Sequence, residues 1–384
     1  MSLERLMINS RATSTWALVV LLFSAGVHAE KERLNISGQV LMDIDYYESF
    51  WDKSGDSSNT NLELRNGRIQ FTYDFPAGWE AKLQVNTEAD SDGSDIDLGS
   101  AYIRYTNWKI ADITLGKMKE PLGMERNTRS SRVVTIEDSM MTTSFTPRKN
   151  WGIRLNDATK RRTWSLAATV EEDNDDDDQG YKEDEPIALT GRFTLAPIHG
   201  KEQTLQFGIS GSWRDWNENT FQIRNRAEVF SADNVVRSAE FAADNQTVIG
   251  LEAAWSRNSL LIQSEYMATR VEEVNGADWD YDGYYFTASY ILTGEHRKLS
   301  KGKLGTVKPK GSSGAWEVES RYSYINLQDK GLGAEASITT VGLNYYYRDD
   351  IKIMLAYLYP EIAGDVTSDD NGGHAISARV QVLF

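Results

Sequence analysis

The chain closes on "ARVQVLF", Ala378 to Phe384. Ile376, Ala378, Val380, Val382 and Phe384 take every second position, with Ser377, Arg379 and Gln381 between them. Alternation of this kind marks a β-strand whose two faces meet different surroundings. Chain ends usually fray, so an apolar stripe that runs to the last residue raises the question of which solvent covers it.

The same period recurs along the whole chain. Leu34, Ile36, Val40, Met42, Ile44 and Tyr46 share one face, and Asn35, Ser37, Gln39, Asp43 and Asp45 share the other. Trp79, Ala81, Leu83 and Val85 alternate with Glu80, Lys82, Gln84 and Asn86. Sixteen such segments are expected, near 33–47, 62–75, 79–89, 97–106, 109–116, 149–157, 163–170, 186–195, 203–214, 246–256, 258–270, 282–293, 314–327, 336–348, 351–360 and 373–384. Most reach about ten residues, the length a tilted strand needs to cross a bilayer. Strands of a soluble sandwich average about 5–6. Connectors alternate between short turns and long polar loops, as in outer-membrane barrels. Tyr46, Tyr47, Trp79, Trp151, Tyr345, Tyr347, Tyr357 and Tyr359 gather at segment ends, where interfacial girdles sit. The expected fold is all-β: a 16-stranded antiparallel transmembrane β-barrel whose third extracellular loop folds inward. In it, "ARVQVLF" is the closing strand, and lipid covers its apolar face.

A mean hydropathy of −0.50 and 26% charged residues fit such a barrel, because only alternate residues meet lipid. Residues 1–29 carry Arg5 and Arg11, an apolar core from Trp16 to Phe23, and Val27-His28-Ala29. Those are the parts of a cleaved secretory signal, which leaves 30–384 as the barrel domain. The removed piece holds two Arg and one Glu, so the charge of −16 becomes −17. An acidic chain of this kind is not expected to bind nucleic acid. With no cysteine there is no disulfide, Cys-zinc site or thiol nucleophile. His28, His199, His296 and His374 are scattered, and no HExxH, GxSxG or Walker spacing occurs. No catalytic set, metal centre or cofactor is expected.

One loop departs from the acidic balance. Lys117 to Lys149 holds Lys117, Lys119, Arg126, Arg129, Arg132, Arg148 and Lys149 against Glu120, Glu125, Glu137 and Asp138. It follows the fifth strand, where general porins fold a loop into the barrel. Rings of Arg and Lys are how anion pores replace lost hydration, and the planar Arg fork suits phosphate oxygens. Alternation adds Arg68, Arg104 and Arg154 to the lumen wall, with salt bridging to Glu80, Glu88 or Asp112 as their other role. Arg65 turns inward only through a bulge at Asn66-Gly67. A basic connector at 294–313, with Arg297, Lys298, Lys301, Lys303, Lys308 and Lys310, lies on the periplasmic side, as an anion sink or a solvated turn. The acidic run 171–185 is expected on the outer rim, where it repels anions and bridges to lipopolysaccharide through divalent cations. Neither it nor 88–99 completes a calcium loop, since Pro186 and Gly99 stand at the twelfth positions.

"LGKMKEPLGMERNTRSSR…FTPRKNWGIRL" and "GYYFTASYILTGEHRKLSKGKLGTVKPK…GAWEVESRYSYINL" resemble the phosphate-selective porin O and P family over nearly the whole mature chain. The resemblance implies a homotrimeric bacterial outer-membrane porin passing phosphate or related inorganic anions along a file of arginines and lysines. It places Lys117, Lys119, Arg126, Arg129 and Arg132 at the constriction, and folds the 294–313 turn back into the barrel. Two other readings share these observations: a channel for another small solute, and a barrel serving chiefly as adhesin or surface anchor.

Overall fold

The computed structural model describes residues 33–51, 58–90, 93–171, 185–364 and 372–384. The segment read as a signal and residues 172–184 of the acidic run lie outside them. Of that run, Glu171 and Glu185 are described.

Sixteen strands form the wall, numbered here by their place in it: β1 Leu34–Glu48, β2 Ser58–Phe75, β3 Trp79–Asp90, β4 Gly93–Tyr105 and β5 Asp112–Lys119. They continue as β6 Lys149–Ala158, β7 Arg162–Val170, β8 Ile187–His199, β9 Gln203–Asp215, β10 Phe241–Arg257 and β11 Leu260–Glu273. The last five are β12 Asp278–Ile291, β13 Ala315–Asn326, β14 Ala334–Tyr346, β15 Ile351–Gly364 and β16 Ala375–Leu383. Each pairs antiparallel with its neighbour in the chain. β16 pairs with β1, from Gln39 opposite Leu383 to Tyr47 opposite Ala375, which closes the barrel.

The two faces are sorted as the alternation requires. Ile36, Ile44, Ile376, Val380 and Phe384 are exposed on the outside, whereas Gln39, Asp43, Arg379 and Gln381 are buried within. Backbone bonds from Gly38 N–H to Phe384 O (2.7 Å) and from Phe384 N–H to Gly38 O (3.2 Å) extend the seam to the last residue. The Phe384 ring lies over Gly38, where an added Cβ would come within 2.2 Å of it. Gly38→Ala is therefore expected to push the ring aside and cost about 1–3 kcal/mol. A lowered unfolding temperature of the folded barrel in detergent checks this.

Arg65 is itself the extra residue of a bulge, since Leu41 faces Asn66 while Met42 faces Leu64. The bulge thus falls one residue before the position expected, with the expected result that Arg65 points inward. Its Nε donates to Glu137 Oε1 at 2.9 Å.

Residues 120–148 leave the wall between β5 and β6 and carry two short helices, α1 Met124–Asn127 and α2 Met140–Phe145. Ser139 caps α2, accepting from Thr142 N–H at 3.2 Å. Inward side chains of the opposite wall hold this segment. Asn344 Nδ2 donates to Val134 O (2.9 Å), Lys352 Nζ to Val133 O (3.1 Å) and Gln381 Nε2 to Ser131 O (3.2 Å). Glu265 accepts from the backbone N–H groups of Met124 (2.6 Å) and Glu125 (2.7 Å). The turn 292–314 packs inward as well, with Leu299 and Leu304 clustering against Met124, Val134, Ala254 and Leu261.

Candidate basic pathway for anions

The charged side chains inside the barrel divide between two walls. On β8 to β16 and β1, arginines are matched to carboxylates. Arg379 forks onto Asp43 (2.7 and 2.6 Å) and also pairs with Glu137. Arg192 forks onto Glu252 (2.8 and 2.6 Å), and Arg214 pairs with Glu120 (3.0 Å) and Glu171. Arg297 pairs with Glu317 (2.8 Å), and Arg321 pairs with Glu125. Buried charges persist only when compensated in this way.

Three of these carboxylates, Glu120, Glu125 and Glu137, belong to the 120–148 segment, so the pairs are also its anchors. Burial alone would raise the Glu137 carboxyl, but Arg65 and Arg379 hold it down at about 2. A depressed carboxyl contributes stability above its ordinary range near ~4.3 and loses it as pH falls through the folded value. This anchor therefore keeps its full strength at neutral pH, weakens as pH falls below ~4.3 and is lost toward pH 2.

The other wall, β2 to β6, together with the parts of the inner segment and the turn that face it, presents cations of a different kind. Lys82, Lys119, Arg129, Arg132, Lys149, Arg154 and Lys303 have no carboxylate within 4.0 Å among the described residues. They crowd one another instead. Lys82 feels the charges of Arg129, Arg68 and Arg104; Lys149 those of Arg68, Lys119, Arg126 and Lys82; Lys303 those of Arg154, Arg192, Arg129 and Lys82. Arg129 and Lys303 are exposed and the other five half-buried, so water and solutes reach them. Neutral acceptors hold several in place. Lys119 Nζ donates to Arg126 O (2.7 Å), Arg154 Nη1 to Lys119 O (3.2 Å) and Arg126 Nη2 to Pro147 O (2.7 Å). With its amide oxygen turned toward the cations, Gln84 accepts from Lys149 Nζ (2.7 Å) and Arg68 Nε (3.2 Å). Arg154 Nε is buried without a partner among the described residues. Carbonyl and amide acceptors fix positions without cancelling charge, which leaves a field free to act on a passing anion.

Glu80 interrupts this wall, pairing with Arg104 at 2.6 Å. One unit charge at about 4 Å in a water-like medium is worth about 1 kcal/mol. Glu80→Gln is expected to free Arg104 and tighten phosphate block of the current about fivefold, read from the half-blocking concentration in a planar bilayer.

Most of the residues singled out from the sequence share this region. Arg68, Arg104 and Arg154 face the lumen, with Arg104 in the salt bridge to Glu80 that was its other role. Arg126, Arg129, Arg132 and Lys119 stand near them. Lys117 does not. It falls in the row of Leu115, opposite Ala101 and Trp151, and pairs with Asp97 at 3.5 Å. Of the basic turn, Lys298 and Lys301 are exposed and Lys303 joins the cations, but Arg297 is buried and paired, neither sink nor solvated. Lys82 was missed as a site residue. Its signal was present, because Ala81 and Leu83 face outward and leave Lys82 inside.

A closed barrel with an apolar exterior and crowded, accessible cations along one inner wall defines an outer-membrane channel for anions. The chain belongs to the phosphate-selective porin O and P family, whose profile matches residues 34–384. Porin O of Pseudomonas aeruginosa is 25% identical over 393 aligned positions, covering 91% of this chain and 88% of that protein. The fold is shared with the anion-selective porin from Comamonas acidovorans, at a TM-score of 0.55 and 11% identity over 91% of this chain and 99% of that one. It is also shared with OmpT of Vibrio cholerae in its trimer form, at a TM-score of 0.56 and 10% identity over 91% and 99% of the two chains.

Proposed function

We propose that the channel selects phosphate and related oxyanions at a constriction where residues 120–148 face the β2–β6 wall. The observation that carries this reading is the uneven pairing of charge: apart from Arg65, the arginines that take the segment's carboxylates stand on β9, β13 and β16, whereas Lys82, Lys149 and Arg154 of the facing wall and Arg129 and Arg132 of the segment have no carboxylate within 4.0 Å among the described residues. Arg129 and Arg132 on the segment stand opposite Lys82, Arg68 and Lys149 on the wall, with Arg154 and Lys303 beyond. An anion is passed along this file by several weak attractions in series, since one tight site would stall conduction. Arginine forks match the oxygens of phosphate better than they match chloride.

The remaining assignments follow from the same picture. Residues 1–29 act as a cleaved export signal, and the exposed apolar rows meet lipid. The acidic outer segment meets lipopolysaccharide through divalent cations, and three copies assemble, as the trimeric OmpT relative does. The test is a reversal potential across a KCl gradient, followed by phosphate titration. Anion selectivity with phosphate block is the expected result, and cation selectivity without block overturns it.

A further inference from the structure

The sequence makes the connector 294–313 an anion sink or a solvated turn, yet its Arg297 is 2% exposed. One guanidinium there joins four elements. Nη2 donates to Glu317 Oε2 on β13 (2.8 Å) and to the Tyr346 hydroxyl on β14 (2.7 Å). Nη1 donates to Arg132 O in the inner segment (2.9 Å) and to Gly305 O in the turn itself (3.3 Å). Glu317 is in turn fixed by the Tyr346 hydroxyl (2.6 Å) and Ser289 Oγ (2.8 Å), so the guanidinium is held from both ends.

A second set of contacts supports the same junction. Leu304 N–H donates to Thr128 Oγ1 at 3.3 Å, next to Arg129. Leu299 and Leu304 pack on Met124 and Val134 of the segment. The turn thus braces the stretch 128–134 on its hydrogen-bonding side and its apolar side, leaving Arg129 and Arg132 to face the opposite wall.

We infer that Arg297 is a positioning residue for the constriction, and that the periplasmic turn, through it, sets where Arg129 and Arg132 stand. This rests on the reading of those two arginines as constriction residues. A guanidinium is suited to the role because its donors lie in a rigid plane and reach a carboxylate and a carbonyl at once. Lysine supplies the charge but not that geometry.

Arg297→Met alone would strand Glu317 as a buried charge and risks misfolding, so the test uses Arg297→Met/Glu317→Gln, which removes both charges together. The chain has no cysteine, so Ser131→Cys carries a single nitroxide label beside Arg132. In the full-length barrel, with unfolding temperature and KCl conductance as controls, the label is expected to be immobile in the parent and mobile in the double variant. The half-blocking phosphate concentration is expected to rise about tenfold, with Arg297→Lys in between. An immobile label in the double variant overturns the positioning role, whatever the block shows. A mobile label with unchanged block upholds the positioning role and removes Arg129 and Arg132 from the constriction.

Discussion

Replacing Arg129 and Arg132 together by glutamine is expected to weaken phosphate block about 30-fold and to shift the reversal potential in a KCl gradient toward the cation side. Both side chains reach lumen water and neither has a carboxylate partner among the described residues, so their charge is fully available to the permeating ion. At about 4 Å in a water-like medium each contributes about 1 kcal/mol, and ~2 kcal/mol corresponds to roughly 30-fold in affinity. The effect should shrink at high salt, where the screening length falls to about 3 Å. Block and selectivity indistinguishable from the parent would mean that the wall cations alone carry the selectivity.

Arg321→Met is expected to be the most damaging single substitution within the barrel, and its effect is on the inner segment rather than the wall. Arg321 is 1% exposed. It binds Glu125, donates to Thr287 Oγ1 (3.1 Å) and Glu137 O (3.0 Å), and lies 3.8 Å from Glu228. Burial pushes the Glu228 carboxyl up to about 7, against the pull of Arg321. Without Arg321, Glu125 is a buried carboxylate lacking its cation, a loss of about 3–5 kcal/mol. The backbone ladder of the barrel does not depend on this pair, so the wall should persist while residues 120–148 detach. Single-channel recordings should show a larger, noisier conductance with little selectivity. Arg321→Met/Glu125→Gln should recover much of the parent behaviour, because it strands no charge. A quiet, parent-sized conductance in the single variant would show that the segment is held without Arg321.

The sequence carried the wall almost completely, for a definite reason. Lipid and water impose opposite demands on successive residues, so each strand records the barrel in its own composition, as in Ile376, Val380 and Val382 against Ser377, Arg379 and Gln381. Arg68, Arg104 and Arg154 were assigned to the lumen by this parity alone. Where parity is broken locally, the reading slipped. Arg65 is itself the bulge residue. Lys117, counted with the loop, lies within β5 beside Gly116, whose φ of +133° distorts the strand, and it is buried against Asp97.

What the sequence by itself determined is therefore the barrel, its strand count, its faces and the excess of positive charge in the 117–149 loop. Which of those charges are cancelled was decided only by closure. Asp43 meets Arg379 across the seam, Glu125 meets Arg321 across the lumen, and Glu317 takes Arg297 out of the supposed sink. Local patterning reports which solvent a residue faces, because that depends on its own strand. Ion pairing depends on which distant strands the closed sheet brings within about 4 Å, and no stretch of sequence contains that distance.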